Sequence, residues 1–314
     1  MIWSISCHIF GLQSYECNQH GKTIYQPFPC TNTPGLSPTI KKHTNEQDLI
    51  VFSKQGNEAL VYKLLIQGVS PNATDDKNNS PLFYALEQQY YSIARLLIAS
   101  KANTNYILAS GESLLMFFAN SGNYQAFQLL LANHANINYT EPTNGNTALL
   151  TATIANKIKI VKFLLQAKAN TNLANNYGIT PLIAALESNN PAMVDLLLQH
   201  RANINQLSLP KDKDLSSTPL IHFATNGDQK NIITLIKLGA NINLTNEKKI
   251  SPLGAAALVG HLNTVKLLLA AGADPKSLTQ EPQLWEYVKT KNNPKIAELI
   301  EDKVNMQISN TASQ

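Results

Sequence analysis

Arginine is scarce in this chain of 314 residues. Lysine and arginine together number 25, yet arginine occurs only as Arg95 and Arg201, and the net charge is +4. Surfaces that bind nucleic acid usually carry clustered basic residues with arginine prominent among them. No such cluster and no nucleic-acid-reading motif accompanies the lysines, so the composition argues against a nucleic-acid partner.

Cysteine is equally scarce. The chain has three cysteines, all in its first 45 residues and with histidines nearby: Cys7, Cys17 and Cys30, with His8, His20 and His43. Cys17 and His20 have the spacing of half a zinc site, but the second compact pair that a closed site needs is missing. The other hypothesis is a cysteine nucleophile with a histidine base, although so short a segment cannot build a core that would hold the two side chains together. We therefore predict ordinary thiols in an irregular segment, with no metal, cofactor or catalytic residue, in a reducing compartment.

Long apolar runs, a secretion signal and enzyme motifs are also lacking. No run approaches the length of a membrane span, and the apolar stretch Met1–Ser6 lacks a positively charged n-region and is too short for the apolar core of a signal peptide. The chain contains no phosphate-binding Gly-rich loop with lysine, no His-Glu-x-x-His and no Gly-x-Ser-x-Gly. We expect a protein that is not an enzyme and does not span a membrane, located in the cytoplasm or secreted by a non-classical route.

What the chain does contain is a short pattern repeated six times. Its copies are Ser80-Pro81-Leu82, Ser113-Leu114-Leu115, Thr147-Ala148-Leu149, Thr180-Pro181-Leu182, Thr218-Pro219-Leu220 and Ser251-Pro252-Leu253. Their first residues lie 33, 34, 33, 38 and 33 positions apart. A near-fixed period of this length predicts a stacked solenoid and favours an extended recognition surface over an enclosed catalytic pocket.

Each copy reads as two helices and a turn. The Ser or Thr hydroxyl can accept a bond from a free helical N–H, and the proline that often follows suits the first helical position. After a polar break, a second apolar block has helical spacing, as in Val194, Leu197 and Leu198. The block ends in Ala-Asn or Ala-Asp after a residue suited to a C-cap, which predicts an outward turn.

Read in order as x-G-x-T-P-L-x-x-A, V-x-x-L-L and G-A-N-x-N, these residues resemble the ankyrin repeat over roughly residues 46 to 304. The resemblance implies an all-α solenoid of stacked helix-turn-helix units with short outward turns. It divides the chain into a non-repeat segment (1–45), an N-terminal cap (46–79), six repeats (80–282), a C-terminal cap (283–304) and a polar tail (305–314). The histidine that usually follows Thr-Pro-Leu is absent, so we expect apolar contacts to hold the stack instead.

The resemblance also indicates where a partner would bind. Ankyrin repeats usually bind partners on the concave face formed by the turns and first helices, and aromatic side chains are natural anchors there. On the first helices and turns, the candidate partner-binding residues are Tyr84, Phe117, His222, Tyr106, Tyr139 and Tyr177. The alternative for Tyr84 and Phe117 is packing on the neighbouring repeat.

The step of 38 residues before Thr218 places about five extra residues in the segment 206–217. That insertion is either a loop that binds a partner or a change in length without function, which is tolerated because a longer surface loop costs little free energy.

In the ankyrin family, asparagines in the turn after the second helix are hydroxylated by an oxygen-dependent enzyme in animal cells. The spacing of Leu130 with Asn138, or of Leu164 with Asn172, resembles such a site.

These observations predict a non-catalytic, monomeric scaffold that binds another protein. The lysine and asparagine bias, combined with ankyrin-like repeats, resembles effectors that intracellular bacteria deliver into a host cytosol. The alternative is an enzyme or enzyme subunit whose chemistry depends on residues 1–45 packed on the array.

Overall fold

A computed structural model of the protein describes residues 15–19, 22–26, 45–208, 216–291 and 294–312. Within these ranges the chain forms seventeen α-helices and one two-stranded sheet. The helices are α1 (Asn45–Gln55), α2 (Glu58–Ile66), α3 (Pro81–Glu87), α4 (Tyr91–Ala99), α5 (Leu114–Ser121), α6 (Tyr124–Ala132), α7 (Ala148–Ile154), α8 (Ile158–Gln166), α9 (Pro181–Glu187), α10 (Pro191–Gln199), α11 (Pro219–Asn226), α12 (Gln229–Lys237), α13 (Pro252–Val259), α14 (Leu262–Ala270), α15 (Lys276–Thr279), α16 (Pro282–Lys291) and α17 (Pro294–Ala312). None of them has both the length and the apolar character that a membrane span requires.

The two strands lie before the helices. β1 (Tyr15–Gln19) pairs antiparallel with β2 (Lys22–Gln26), and Cys17 stands opposite Ile24. The prediction of an irregular segment is therefore wrong for these ten residues, and the all-α array has a small hairpin before it. Cys7, Cys30 and the three N-terminal histidines lie outside the described residues.

The predicted helix starts are confirmed in all six copies. In each copy the Ser or Thr side-chain oxygen accepts a hydrogen bond from the backbone N–H three residues later, at 3.1–3.3 Å. This bond satisfies one of the N–H groups that the first turn of a helix leaves without a partner. The cap thus fixes where each first helix begins.

The second helices bury the predicted apolar stripe. Val194 and Leu197 of α10 are buried, and so are Val265 and Leu268 of α14. The third members of these two blocks, Leu198 and Leu269, are only half-buried. Small residues such as Ala185 are fully buried on the first helices, where α9 packs against both α7 and α10.

A left-handed residue ends each second helix. Glycine occupies this position three times, as in Gly239 with φ +89°, but Lys101, His134, Lys168 and Arg201 occupy it elsewhere with φ of 61–70°. Glycine adopts this conformation without strain, whereas other residues carry a small penalty. The predicted C-cap is confirmed, and a turn follows it.

Asparagines join the turns of successive repeats. The side-chain oxygen of one asparagine accepts the backbone N–H of an Asn or Asp about one repeat further along, at 2.6–2.9 Å. We call each such bond a rung. The rungs are Asn72 to Asn103, Asn105 to Asn136, Asn138 to Asn170, Asn172 to Asn203, Asn205 to Asn241 and Asn243 to Asp274. The expected apolar contacts between repeats are therefore accompanied by one hydrogen bond at each of these turns.

The two ends of the array differ from its middle. At the beginning, α1 and α2 form a helix pair whose Leu49 and Val61 are buried although the Thr-Pro-Leu start is absent. At the other end, α17 buries Ile296 and Ile300 and continues to Ala312. Residues 305–312 are therefore helical and continue α17, while the division of the chain at residue 304 stays a prediction.

The chain divides into two compact units. Unit 1 comprises Met1–Phe118 and Asn123–Asn136, and unit 2 comprises Ala119–Gly122 and Ile137–Gln314. Every rung lies inside one unit. The insertion belongs to unit 2, where the Ser208 N–H donates to the Ser217 carbonyl at 2.9 Å and closes the base of the loop. Residues 209–215 of this loop lie outside the described residues.

Candidate interaction surface

Tyr84, predicted as an exposed anchor on α3, is buried with only 6% of its surface exposed. Its hydroxyl donates to the Asp75 carboxylate at 2.5 Å and accepts from the Asn79 amide at 3.2 Å. The Lys54 ammonium lies 4.8 Å from the centre of its ring, within the range of a cation–π contact. Burial, followed by the bond to Asp75, raises the pKa of this tyrosine. The expected exposure of Tyr84 is wrong, because its ring packs within unit 1.

Phe117 and Tyr106 lie in the same unit. The half-buried ring of Phe117 meets Phe83 edge to face at 5.2 Å, and Phe83 in turn meets Tyr84 at 5.4 Å. This is the packing alternative that the sequence left open. Tyr106 is half-buried in its turn and donates to the Asn78 carbonyl at 3.0 Å. Burial and the nearby Asp75 charge raise the pKa of Tyr106.

The turns of unit 2 form a second candidate surface. Residues 141–147 and 175–179, which we call the turn platform, are joined by four hydrogen bonds. They run from Asn175 Nδ2 to Asn146 Oδ1 (3.0 Å), from the Asn176 N–H to the Asn144 carbonyl (2.7 Å), from Asn176 Nδ2 to the Thr143 carbonyl (2.9 Å) and from the Tyr177 hydroxyl to Asn144 Oδ1 (3.3 Å). Two neighbouring turns are thus held in one fixed arrangement.

Glycine makes this close approach feasible. Gly145 has φ +75°, and a Cβ atom there would lie 2.7 Å from Asn176 Oδ1 and 2.9 Å from the Asn176 backbone nitrogen. Only a residue without a side chain fits at that distance. Behind it, the buried Glu141 carboxylate accepts the N–H groups of Thr143, Asn144 and Asn146.

Tyr177 is the most exposed of the predicted site residues, at 65% of its surface. Its backbone N–H donates to Asn175 Oδ1 at 3.0 Å while its hydroxyl bonds to Asn144, so both ends of the residue are held. Tyr139, which precedes the platform, is half-buried. The turn platform therefore presents one large aromatic face to solvent.

His222 forms a separate polar cluster in unit 2. Its Nε2 lies 2.9 Å from Glu187 Oε1 and 3.2 Å from Asn226 Nδ2, and its ring meets Phe223 edge to face at 5.0 Å. The imidazole side chain is 19% exposed and that of Glu187 is 45% exposed. This pair joins the end of α9 to α11 and remains accessible to a partner.

Sequence reasoning missed the residues that hold these side chains. Nothing in the sequence alone indicates that Glu187 meets His222, or that Asn144 and Asn176 face each other. One available signal was the 34-residue step before Thr147, since its extra residue lies in the turn that Glu141 organises. The other was the asparagine at corresponding positions of successive turns.

No arrangement typical of catalysis was found in the ranges that the structure describes. A depression of about 400 Å³ on unit 1 is lined by Glu58, Ala59, Tyr62 and Leu96, which offer no nucleophile with an adjacent base. Among the described residues, no group of three His, Cys, Asp or Glu side chains is placed to hold a metal ion.

The two asparagines with the spacing of hydroxylation sites are both rung acceptors. Asn138 accepts from the Asn170 N–H at 2.9 Å, and Asn172 accepts from the Asn203 N–H at 2.8 Å. A modifying enzyme would have to open the turn to reach either amide. Hydroxylation of these residues stays a prediction.

Stacked helix pairs whose turns are joined by side-chain rungs define a helical repeat protein. A family model described as ankyrin repeats matches residues 115–208 and 206–279 in three copies. The chain therefore belongs to the ankyrin repeat family. Proteins of this family generally mediate protein–protein interaction, and the fold is typically a non-enzymatic scaffold.

A solved structure gives the same assignment. The chain is similar to the crystal structure of the ankyrin repeat domain of Bcl-3, a member of the IkappaB protein family, with a TM-score of 0.59 and 25% sequence identity. The similarity covers 70% of this chain and 97% of that one. A search of curated protein sequences gave no match.

Proposed function

We propose that the chain is a non-catalytic scaffold that binds another protein through the turns and first helices of unit 2, with Tyr177 as the main anchor. The observation that carries this proposal is the turn platform, which fixes an aromatic side chain that is 65% exposed. A rigid, exposed aromatic buries a large area on binding and loses little conformational entropy. His222 and Glu187 supply polar contacts on the first helices.

The test begins with capture of a partner from cell lysate and its identification by mass spectrometry. Calorimetry then compares the wild type with Tyr177→Asp, which should weaken binding by ~2 kcal/mol or more because a charge replaces a desolvated anchor. Tyr287→Asp is the matched control, since Tyr287 is 48% exposed but lies on α16. Equal affinity of the two variants would contradict the assignment of the anchor.

A second pair of variants tests the platform itself. Gly145→Ala pushes a methyl group into Asn176, whereas Gly239→Ala meets no atom within 4 Å at a similarly left-handed φ of +89°. Both substitutions strain the backbone, and Gly145→Ala should destabilise the fold more because its methyl group also clashes with Asn176. Only Gly145→Ala should also weaken partner binding. Unchanged binding by a folded Gly145→Ala protein would count against the platform.

The cellular role is proposed on composition. The excess of lysine and asparagine over arginine supports an origin in an A+T-rich bacterial genome, and we propose that the protein acts as a monomeric effector in a host cytosol after non-classical secretion. A translocation reporter fused to the chain tests delivery, and sedimentation tests whether the protein is a monomer.

The alternative is an enzyme whose chemistry depends on residues 1–45. A chain that lacks this segment should then lose turnover, whereas a scaffold should still bind its partner.

A further inference from the structure

A long stretch of unit 2 carries charge of only one sign. The segment from Pro142 to Leu186 contains no aspartate or glutamate, and its charged side chains are Lys157, Lys159, Lys162 and Lys168. These lysines belong to α8 and its two ends. We call them the lysine face.

The helix presents this charge to solvent. Ile160, Val161 and Leu164 of α8 are buried, and the opposite side carries the exposed Lys159 and Lys162, which are one helical turn apart. Lys157 is the N-cap residue and Lys168 follows the end of the helix. From Lys157 to Lys168 the chain rises about 16 Å if it is helical throughout.

Within the described residues, these four lysines form neither an ion pair nor a side-chain hydrogen bond. Other lysines do have acidic partners, as Lys249 has in Glu281 at 3.0 Å and Lys289 has in Glu286 at 2.7 Å. The neighbouring helix α7 has no charged residue, and α10 contributes only Asp195. The first turn of α8 also lacks an acidic residue, so its lysine opposes the helix dipole.

We propose that the lysine face of α8 binds an extended acidic segment of a partner protein. A length of about 16 Å matches roughly five residues of extended peptide, enough for several carboxylates to reach Lys159 and Lys162 together. This surface is separate from the turn platform, so the two proposals fail independently.

Peptide chemistry fits this face better than nucleic acid or lipid. Single-stranded nucleic acid favours exposed aromatic side chains for base stacking, and the exposed residues of α8 are Lys159, Lys162 and Gln166, none of them aromatic. Binding to a membrane surface usually combines basic charge with an apolar helix face that enters the lipid. The apolar face of α8 is already buried in the repeat, so it is not available for insertion.

The experiment measures fluorescence anisotropy of a labelled hexaglutamate peptide titrated with the full chain. Lys159→Glu/Lys162→Glu should weaken binding by about tenfold or more, because two attractive charges become repulsive. Lys230→Glu/Lys237→Glu is the matched control on the exposed side of α12, with the same change of four charge units. It should alter binding by less than about threefold. Urea titration checks that both proteins fold.

Other results would overturn the proposal. Equal loss in the two double variants would mean that only net charge attracts the peptide. Absence of peptide binding at low salt would remove the site. Tighter binding to vesicles of anionic lipid, or to a single-stranded oligonucleotide, with the same dependence on Lys159 and Lys162, would assign the face to that ligand instead.

Discussion

At the scale of single residues, Asn172 shows how the repeats are joined. Its side-chain oxygen accepts the Asn203 N–H at 2.8 Å, and alanine would leave that N–H without its partner. Asn172→Ala should therefore lower the free energy of unfolding by ~1 kcal/mol, as measured by urea titration. Asn172→Asp keeps an acceptor oxygen and should lose less.

The control for this prediction is Asn120→Ala. Asn120 is exposed on α5 and lies outside the rungs, so its substitution should change stability by less than ~0.5 kcal/mol. If Asn120→Ala and Asn172→Ala cost the same, the rung contributes no more than an average surface asparagine.

Tyr84 makes stability depend on pH in alkaline solution. Its pKa is raised above the ordinary value of 10.0 by burial and by the Asp75 carboxylate, so the folded state holds this proton more tightly than the unfolded state does. The resulting stabilisation is complete below pH 10 and is lost as the pH rises through the folded pKa. Tyr84→Phe should therefore flatten the decline of unfolding free energy above pH 10.

This decline is measured as the difference between wild type and variant at each pH, because the lysines then cancel. A Tyr84→Phe protein with the wild-type profile would contradict the raised pKa of Tyr84.

The residues that could be predicted from sequence are those whose partners are close along the chain. Thr180 caps α9 through an N–H three residues away, so spacing alone finds it. For Tyr84 the sequence left exposure and packing open, because the contacts that decide between them, with Phe83 and with Asp75 in a turn nine residues earlier, cannot be seen in the pattern. The sequence pattern assigns a residue to a helix face, but packing against neighbouring repeats determines how exposed that face is to solvent.

At the scale of elements, α8 carries Lys159 at its unfavourable N-terminal end. Lys159 lies in the first turn, where the N–H groups give the helix a partial positive charge. Lys159→Glu should therefore raise the free energy of unfolding by ~0.3–1 kcal/mol in low salt, and the gain should shrink as salt is added. Lys230→Glu, in the first turn of α12 but next to the capping Asp228, should gain less.

Calorimetric melting at two salt concentrations checks this prediction. A loss of stability in Lys159→Glu would mean that the lysine makes a favourable contact that outweighs the dipole. The same variant is informative for the proposed acidic partner, because a protein that is more stable yet binds hexaglutamate less tightly separates binding from folding.

The existence of the helices was easier to predict than their ends and the links between them. Helical spacing and caps are local signals, which is why the six first helices begin where expected. The extension of α17 to Ala312 was not predicted from the sequence. The residues after Val304 are polar, which suggested a tail, but polar residues alone do not end a helix. The turn platform was missed for another reason. Its bonds depend on the register between two turns that lie 33 residues apart.

At the scale of the whole molecule, contacts between neighbouring repeats should make central substitutions costlier than terminal ones. Leu197 on α10 is fully buried, and Leu197→Ala should cost ~2–5 kcal/mol through lost burial and the cavity that remains. Leu299 on the final helix is only half-buried, so Leu299→Ala should cost less and mainly loosen that end.

Denaturant titration with hydrogen exchange distinguishes the two effects. Leu197→Ala should reduce protection in the repeats on both sides, whereas Leu299→Ala should reduce it in α16 and α17. If both variants lost the same stability and reduced hydrogen-exchange protection over equally many repeats, a stack held by nearest-neighbour contacts would be contradicted.

The rungs have a consequence for how the gene can change length. The acceptor and the donor occupy the same two positions of successive turns, so removal of residues 172–204, one 33-residue step, places Asn205 directly after Thr171. Asn205 already bonds to Asn241, and the new junction has the same Asn-x-Asn order as before. Duplication or loss of a whole repeat therefore leaves a matched junction, whereas any other length change leaves a donor or an acceptor out of register.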